Sequence, residues 1–117
     1  MIEEFVSRGF ALRDAAHLAH WASRSYAEHK TLGKFYSDLI DSMDAVIEAY
    51  QGCNVLIKTV KPRGYGPDDI LSQIIKEANW IAENRDNIAD GNQVLENQLD
   101  ELGALYASTV YKLRFLK

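Results

Sequence analysis

Three histidines, His17, His20 and His29, fall within one thirteen-residue window, and two carboxylates, Asp44 and Glu48, follow four residues apart. Residues three or four apart on a helix share a face. His17 and His20 therefore form one group on a first helix, and Asp44 and Glu48 another on a second. Imidazoles and carboxylates that leave coordination positions open are ligand chemistry for iron, manganese or zinc. Asp44 stands beside Met43, Val46 and Ile47, so part of its surroundings is expected to be apolar. A competing pattern is Arg24-x-x-x-x-His29.

The elements that position these residues are legible from apolar period, caps and breakers. Phe5, Val6, Phe10, Leu12, Ala16, Leu18, Ala19 and Ala22 recur mostly at spacings of three and four, which predicts a helix over about residues 2–23. Ser25 followed by Glu28 matches a capping box and predicts a second helix from about Tyr26. Leu32, Phe35, Leu39, Met43 and Val46 supply its apolar face, and Gly52 is a plausible terminator. Gly33 in its interior costs about 1 kcal/mol relative to alanine, so an alternative runs the first helix on to Lys30 and breaks at Gly33. Residues 53–66 have no helical period and are expected to cross the bundle, packing Val55, Leu56, Ile57 and Val60 on it. A third helix is expected to open at Pro67, with Asp68 and Asp69 in its first turn, and to end at Asp90-Gly91. Leu95, Leu99, Leu102, Tyr106, Val110 and Leu113 mark a fourth. The expected fold is all-α, a single four-helix-bundle domain over residues 1–117. Short outer loops and one long connection between helices 2 and 3 are the ferritin-like arrangement.

Composition agrees with that fold. Of 117 residues 47% are hydrophobic and 26% charged, with only two prolines, which excludes disorder and a disulfide-stapled miniprotein. The net charge of −4 argues against a protein whose main task is to neutralise nucleic-acid phosphates. Lys58, Lys61 and Arg63, with Tyr65 nearby, form a small basic cluster, read as a solvated loop. The single cysteine, Cys53, is read as a small apolar filler and points to a reducing compartment. No basic leader and no membrane-length apolar run are present, so the expected setting is the cytoplasm, a host cell's if the chain is viral. Trp21 and Trp80 are read as packing aromatics, Trp21 at an interface.

Geometry restricts where a metal can bind. Within one helix, the fifteen residues from His29 to Asp44 span about 22 Å at 1.5 Å per residue. No single ion reaches both. Two copies with antiparallel second helices would bring His29 of one towards Asp44 and Glu48 of the other, and a twofold axis would build two such sites.

The stretch from His20 to Gly52 resembles the core of the Dps family, the DNA-binding proteins from starved cells. It has His20-Trp21, a second histidine at His29, Asp44 fifteen residues on, Glu48 four later and a closing glycine. The separation of His20 and His29 is three residues shorter than is typical of that family. The resemblance implies a small, divergent ferritin-like protein that binds and oxidises iron at a site shared across a homodimer interface. His20 and His29 would come from one chain, Asp44 and Glu48 from the other. The resemblance leaves out the family's lysine-rich N-terminal tail, and with it the argument for DNA as a partner. The alternative of another class is a non-catalytic helical module that dimerises or binds a partner; the Arg24-x-x-x-x-His29 spacing also resembles the Arg-to-His motif of ribonucleases of the HEPN class, where it tends to lie on a late helix.

Overall fold

The computed structural model describes all 117 residues; its regular structure is four α-helices, with no strand. They are α1 (Ile2–Ala22), α2 (Tyr26–Cys53), α3 (Ile70–Ala89) and α4 (Gln93–Phe115). Three of the starts are fixed by side-chain caps. Ser25 Oγ accepts the amide of Glu28 at 3.2 Å, Asp69 accepts that of Ser72 at 2.9 Å, and Asn92 accepts that of Leu95 at 3.1 Å. The capping box at Ser25 is only half formed. The Ser25 amide, which Glu28 was expected to satisfy, donates instead to Ser23 Oγ at 3.1 Å.

Two boundaries differ from expectation. The third helix begins at Ile70, three residues after Pro67, because Asp69 takes both the amide and the hydroxyl of Ser72 and so acts as the cap. The second helix runs through Gly52 to Cys53, and the Asn54 amide closes it on the Tyr50 carbonyl. Left-handed backbone occurs instead at Asp90 (φ 49°) and Gly91 (φ 78°), in the expected turn between α3 and α4. Gly33 does not break the chain, since the α1–α2 turn falls at residues 23–25.

α1 packs beside α2 and α3, and α4 packs beside the same two, giving a four-cornered bundle. His20 meets His29, and the Met43 thioether fills the space where a Gly9 side chain would begin, so α1 and α2 run antiparallel. The Phe35 and Tyr106 rings lie 5.8 Å apart between α2 and α4, and Arg85 of α3 pairs with Glu96 and Asp100 of α4. Phe5, Leu32, Phe35, Leu39, Leu95 and Leu102 are among the fully buried side chains, within one apolar cluster drawn from all four helices.

Residues 54–69 carry no regular structure. They lie along α1, where the Lys58 amide donates to the Glu3 carboxylate at 3.4 Å. Ile57 and Val60 pack on the core as expected, whereas Val55 and Leu56 are about three-quarters exposed. Cys53 is exposed rather than a filler. No helix is long and apolar enough to cross a membrane.

One ion-pair group joins α1 to α3. The Arg8 guanidinium donates to Glu4 at 2.9 Å and to both Glu77 oxygens at 3.0 and 3.2 Å, while stacking 4.6 Å from the Trp80 ring centre. Burial opposes the Arg8 charge, but the bonds and charges of the two glutamates hold its pKa above the ordinary value. Trp80 is thus a packing aromatic as expected. Burial, with Glu77 as a lesser cause, pushes the Tyr106 phenol well above its ordinary pKa.

Candidate functional site

The α1–α2 turn brings His20 and His29 face to face. Their rings stack with centroids 3.7 Å apart and planes inclined by 15°. Each ring also reaches the other residue's backbone. His20 Nδ1 lies 2.6 Å from the His29 carbonyl oxygen, and His29 Nδ1 lies 2.9 Å from the His20 carbonyl oxygen. A carbonyl only accepts, so both Nδ1 atoms carry the hydrogen and donate. That leaves each Nε2 with its lone pair outside the reciprocal bonds. A histidine that donates Nδ1–H to a backbone carbonyl and keeps Nε2 for a ligand is the arrangement that orients metal-binding imidazoles.

Gly33 makes room for this pair. A Cβ there would stand 2.9 Å from His20 Cε1 and 3.2 Å from its Nδ1. The glycine lies four residues after His29, on the same face of α2, so the His20 ring rests against bare helix backbone. Next along that face, Tyr36 stacks on His17 at 4.1 Å and meets His20 edge-on at 5.5 Å. Trp21 packs on His17 at 4.5 Å, yet is 67% exposed. His17 belongs to this aromatic stack and makes no hydrogen bond through its ring. The two candidate imidazoles face an open groove that Lys30, Lys34 and Lys112 also border.

Asp44 and Glu48 are exposed on α2 and form no ion pair. Asp44 lies about 22 Å and Glu48 about 28 Å along the helix from His29. Within one chain no group of three or more His, Cys, Asp and Glu side chains gathers as a metal cage. The apolar surroundings expected for Asp44 are absent, because Met43 and Val46 point into the core while Asp44 points away from it. Arg24 lies in the turn before α2 and His29 within that helix, so the two do not share one helix.

Sequence reasoning missed Gly33, Tyr36 and Lys112 as parts of this neighbourhood. Gly33 carried a usable signal, since an interior glycine that ends no helix marks a close approach. Lys112 carried none, because it comes from α4, far away in sequence.

A second cluster occurs at the α3–α4 hairpin. Arg85 donates to Asp100 at 2.6 and 2.9 Å and to Glu96 at 3.1 Å. These contacts hold the Arg85 pKa above its ordinary value and that of Asp100 below its own. The group is exposed and structural.

No curated protein and no solved structure matches the chain. A family model described as a family of unknown function (DUF5856) matches residues 20–113, from the first candidate ligand to the last turns of α4. The chain belongs to that family, DUF5856.

Proposed function

We propose that this chain is a Dps-like protein of ferritin-like fold that takes up Fe(II) as its substrate at a site shared by two copies. His20 and His29 would come from one copy, Asp44 and Glu48 from the other. The observation that carries this reading is the reciprocal Nδ1–H bonding of His20 and His29, which holds two imidazoles face to face and leaves both Nε2 atoms outside those bonds. The irregular connection 54–69 serves as the crossover of that fold.

The charge pattern of α2 supports the twofold part. Its outward stripe reads Tyr26, Lys30, Lys34, Ser37, Asp41, Asp44 and Glu48, all exposed. The stripe is basic at its start and acidic at its end, the reverse of what the helix dipole favours. An antiparallel copy centred near Ser37 sets Lys30 against Asp44 and Lys34 against Asp41. It also opposes the two helix dipoles. The lysines beside His20 and His29 disfavour a cation in the isolated chain, and the partner's carboxylates would neutralise them on pairing. Phe10, Leu18 and Trp21 on the outer side of α1 give such a contact apolar surface.

In this role the imidazoles and carboxylates hold iron. Fe(II) gives up one electron per ion, and hydrogen peroxide takes two electrons and two protons to leave as two waters. Glu48, one helical turn beyond Asp44, would be the carboxylate that bridges two ions. Manganese or zinc would fit the same donors without the redox step.

Two measurements test the reading. Solution mass determination is expected to give a dimer or a multiple of one, and a strict monomer removes the shared site. Fe(II) titration with Fe(III) absorbance is expected to show oxidation above background that Asp44→Ala/Glu48→Ala abolishes. A dimer that neither binds nor oxidises iron leaves the helical dimerisation module as the function.

A further inference from the structure

A second feature of the fold has no part in that reading. Between α1, the start of α3 and the segment 63–68 lies a cavity of about 150 Å³, comparable with the volume that an apolar engineered cavity needs to admit benzene. Its floor is apolar, formed by Ala11 and Leu12 of α1. Its rim carries three cations, Arg8, Arg63 and Lys76. Two of these lack a firm partner. Arg63 approaches only Glu4, at 4.0 Å, and no carboxylate lies within ion-pair distance of Lys76. Arg8 is the rigid member, with Nε on Glu4, Nη1 on Glu77 and its plane against Trp80. Its Nη2 donates to no protein atom.

The lining sets these three cations against two acids, Glu77 and Asp68, with Glu4 a third beside Arg8, so Arg63 and Lys76 are what is left for an anion. Glu77 is committed to Arg8, and Asp68 is exposed on the outer edge. The roof is a Gly64-Tyr65-Gly66 segment whose glycines touch nothing where a side chain would start. The Gln73 amide pins it by donating to the Asp68 carbonyl at 2.7 Å. Tyr65, about half exposed, adds an aromatic ring to the lining.

We propose that this cavity binds a small organic carboxylate carrying a compact apolar or aromatic body, on the scale of benzoate. The body rests on Ala11 and Leu12 beside Tyr65, and the carboxylate bonds to Arg63, Lys76 and the free edge of Arg8. Charge-assisted bonds to carboxylates are the strong class, and the preorganised guanidinium of Arg8 lowers the ordering cost of binding.

Amide-resolved NMR titration of the full chain with benzoate tests this. Saturable shifts are expected at Gly64, Gly66, Ala11 and Lys76. Arg63→Gln/Lys76→Gln, which alters only surface side chains, is expected to weaken binding about tenfold or more, as is replacing benzoate by neutral benzyl alcohol. Ala11→Leu fills the floor and is expected to abolish the shifts. The proposal is overturned if no saturable shift occurs, if the shifts lie elsewhere, or if the double glutamine variant binds benzoate as tightly as the native chain. It is also overturned if inorganic phosphate binds as tightly as benzoate, which would make the site a bare cluster of positive charge. None of these outcomes depends on iron.

Discussion

Replacing Gly33 by alanine sets two opposed effects against each other. In an ordinary exposed helix position the change stabilises by about 1 kcal/mol, since glycine loses more backbone entropy on folding. Here the new Cβ would lie 2.9 Å from His20 Cε1 and 3.2 Å from Nδ1, so the ring has to move. The ring is a side-chain terminus and is able to swing, but only by giving up its own 2.6 Å bond to the His29 carbonyl and the 3.7 Å stack; the His29 bond to the His20 backbone carbonyl does not involve it. The lost hydrogen bond, about 1 kcal/mol, and the lost ring stack, about 1 kcal/mol, together outweigh the propensity gain. Gly33→Ala is therefore expected to destabilise by about 1 kcal/mol, or about 4 °C in Tm for a domain of this size. The effect disappears when the ring is absent. In a His20→Ala background, Gly33→Ala is expected to stabilise by about 1 kcal/mol, giving a coupling of about 2 kcal/mol across the cycle. Urea unfolding of the four proteins measures it. Equal stabilisation by Gly33→Ala in both backgrounds would refute the interlocked pair.

Three further outcomes follow from the packing. Arg8→Ala leaves Glu77, whose side chain is only 16% exposed, without its cation, and is expected to cost about 2 kcal/mol; a Glu77→Gln partner change should recover part of it in urea unfolding. Bonds from Ser72 hold the Asp69 carboxyl below its ordinary pKa, and bonds from Arg85 do the same for Asp100. Lowered carboxylates stabilise the fold above the ordinary value of 3.8 and lose that contribution as pH falls through their folded values. Urea midpoints should therefore drop on acidification below about pH 4, and Asp69→Asn/Asp100→Asn should flatten that drop; an unchanged acid slope would remove these two groups as its source. Gly91→Ala places a side chain on backbone at φ 78° and is expected to cost about 1 kcal/mol in Tm-derived stability.

The helical architecture was legible because its signals are local. Ser25 and the apolar period of Leu32, Phe35 and Leu39 located α2, and Asp90-Gly91 located the turn before α4. The misreadings were also local competitions. Pro67 is acceptable in a first turn, but the Asp69 carboxylate meets two groups of Ser72 at once and wins the cap. Val55 and Leu56 were assigned to packing by their apolarity alone, and a segment with no period gives no face on which to place them. Within the candidate site, the approach of His20 to His29 followed from placing the turn at residues 23–25. Their stacking and carbonyl bonds did not, because these depend on α1 and α2 coming close enough for Gly33 to be needed. The third element, Lys112, becomes a neighbour only through the packing of α4 on α2.

The shared site makes one claim that a single experiment reaches directly. Chains carrying His20→Ala/His29→Ala and chains carrying Asp44→Ala/Glu48→Ala are each expected to lack Fe(II) oxidation. When equal amounts are unfolded together and refolded, half of the dimers contain one chain of each kind. Every such dimer holds one intact site and one empty of ligands, so about a quarter of native activity should return by twofold symmetry. Recovery near that level supports a site built from histidines of one chain and carboxylates of the other. No recovery in mixed dimers verified by mass would contradict it.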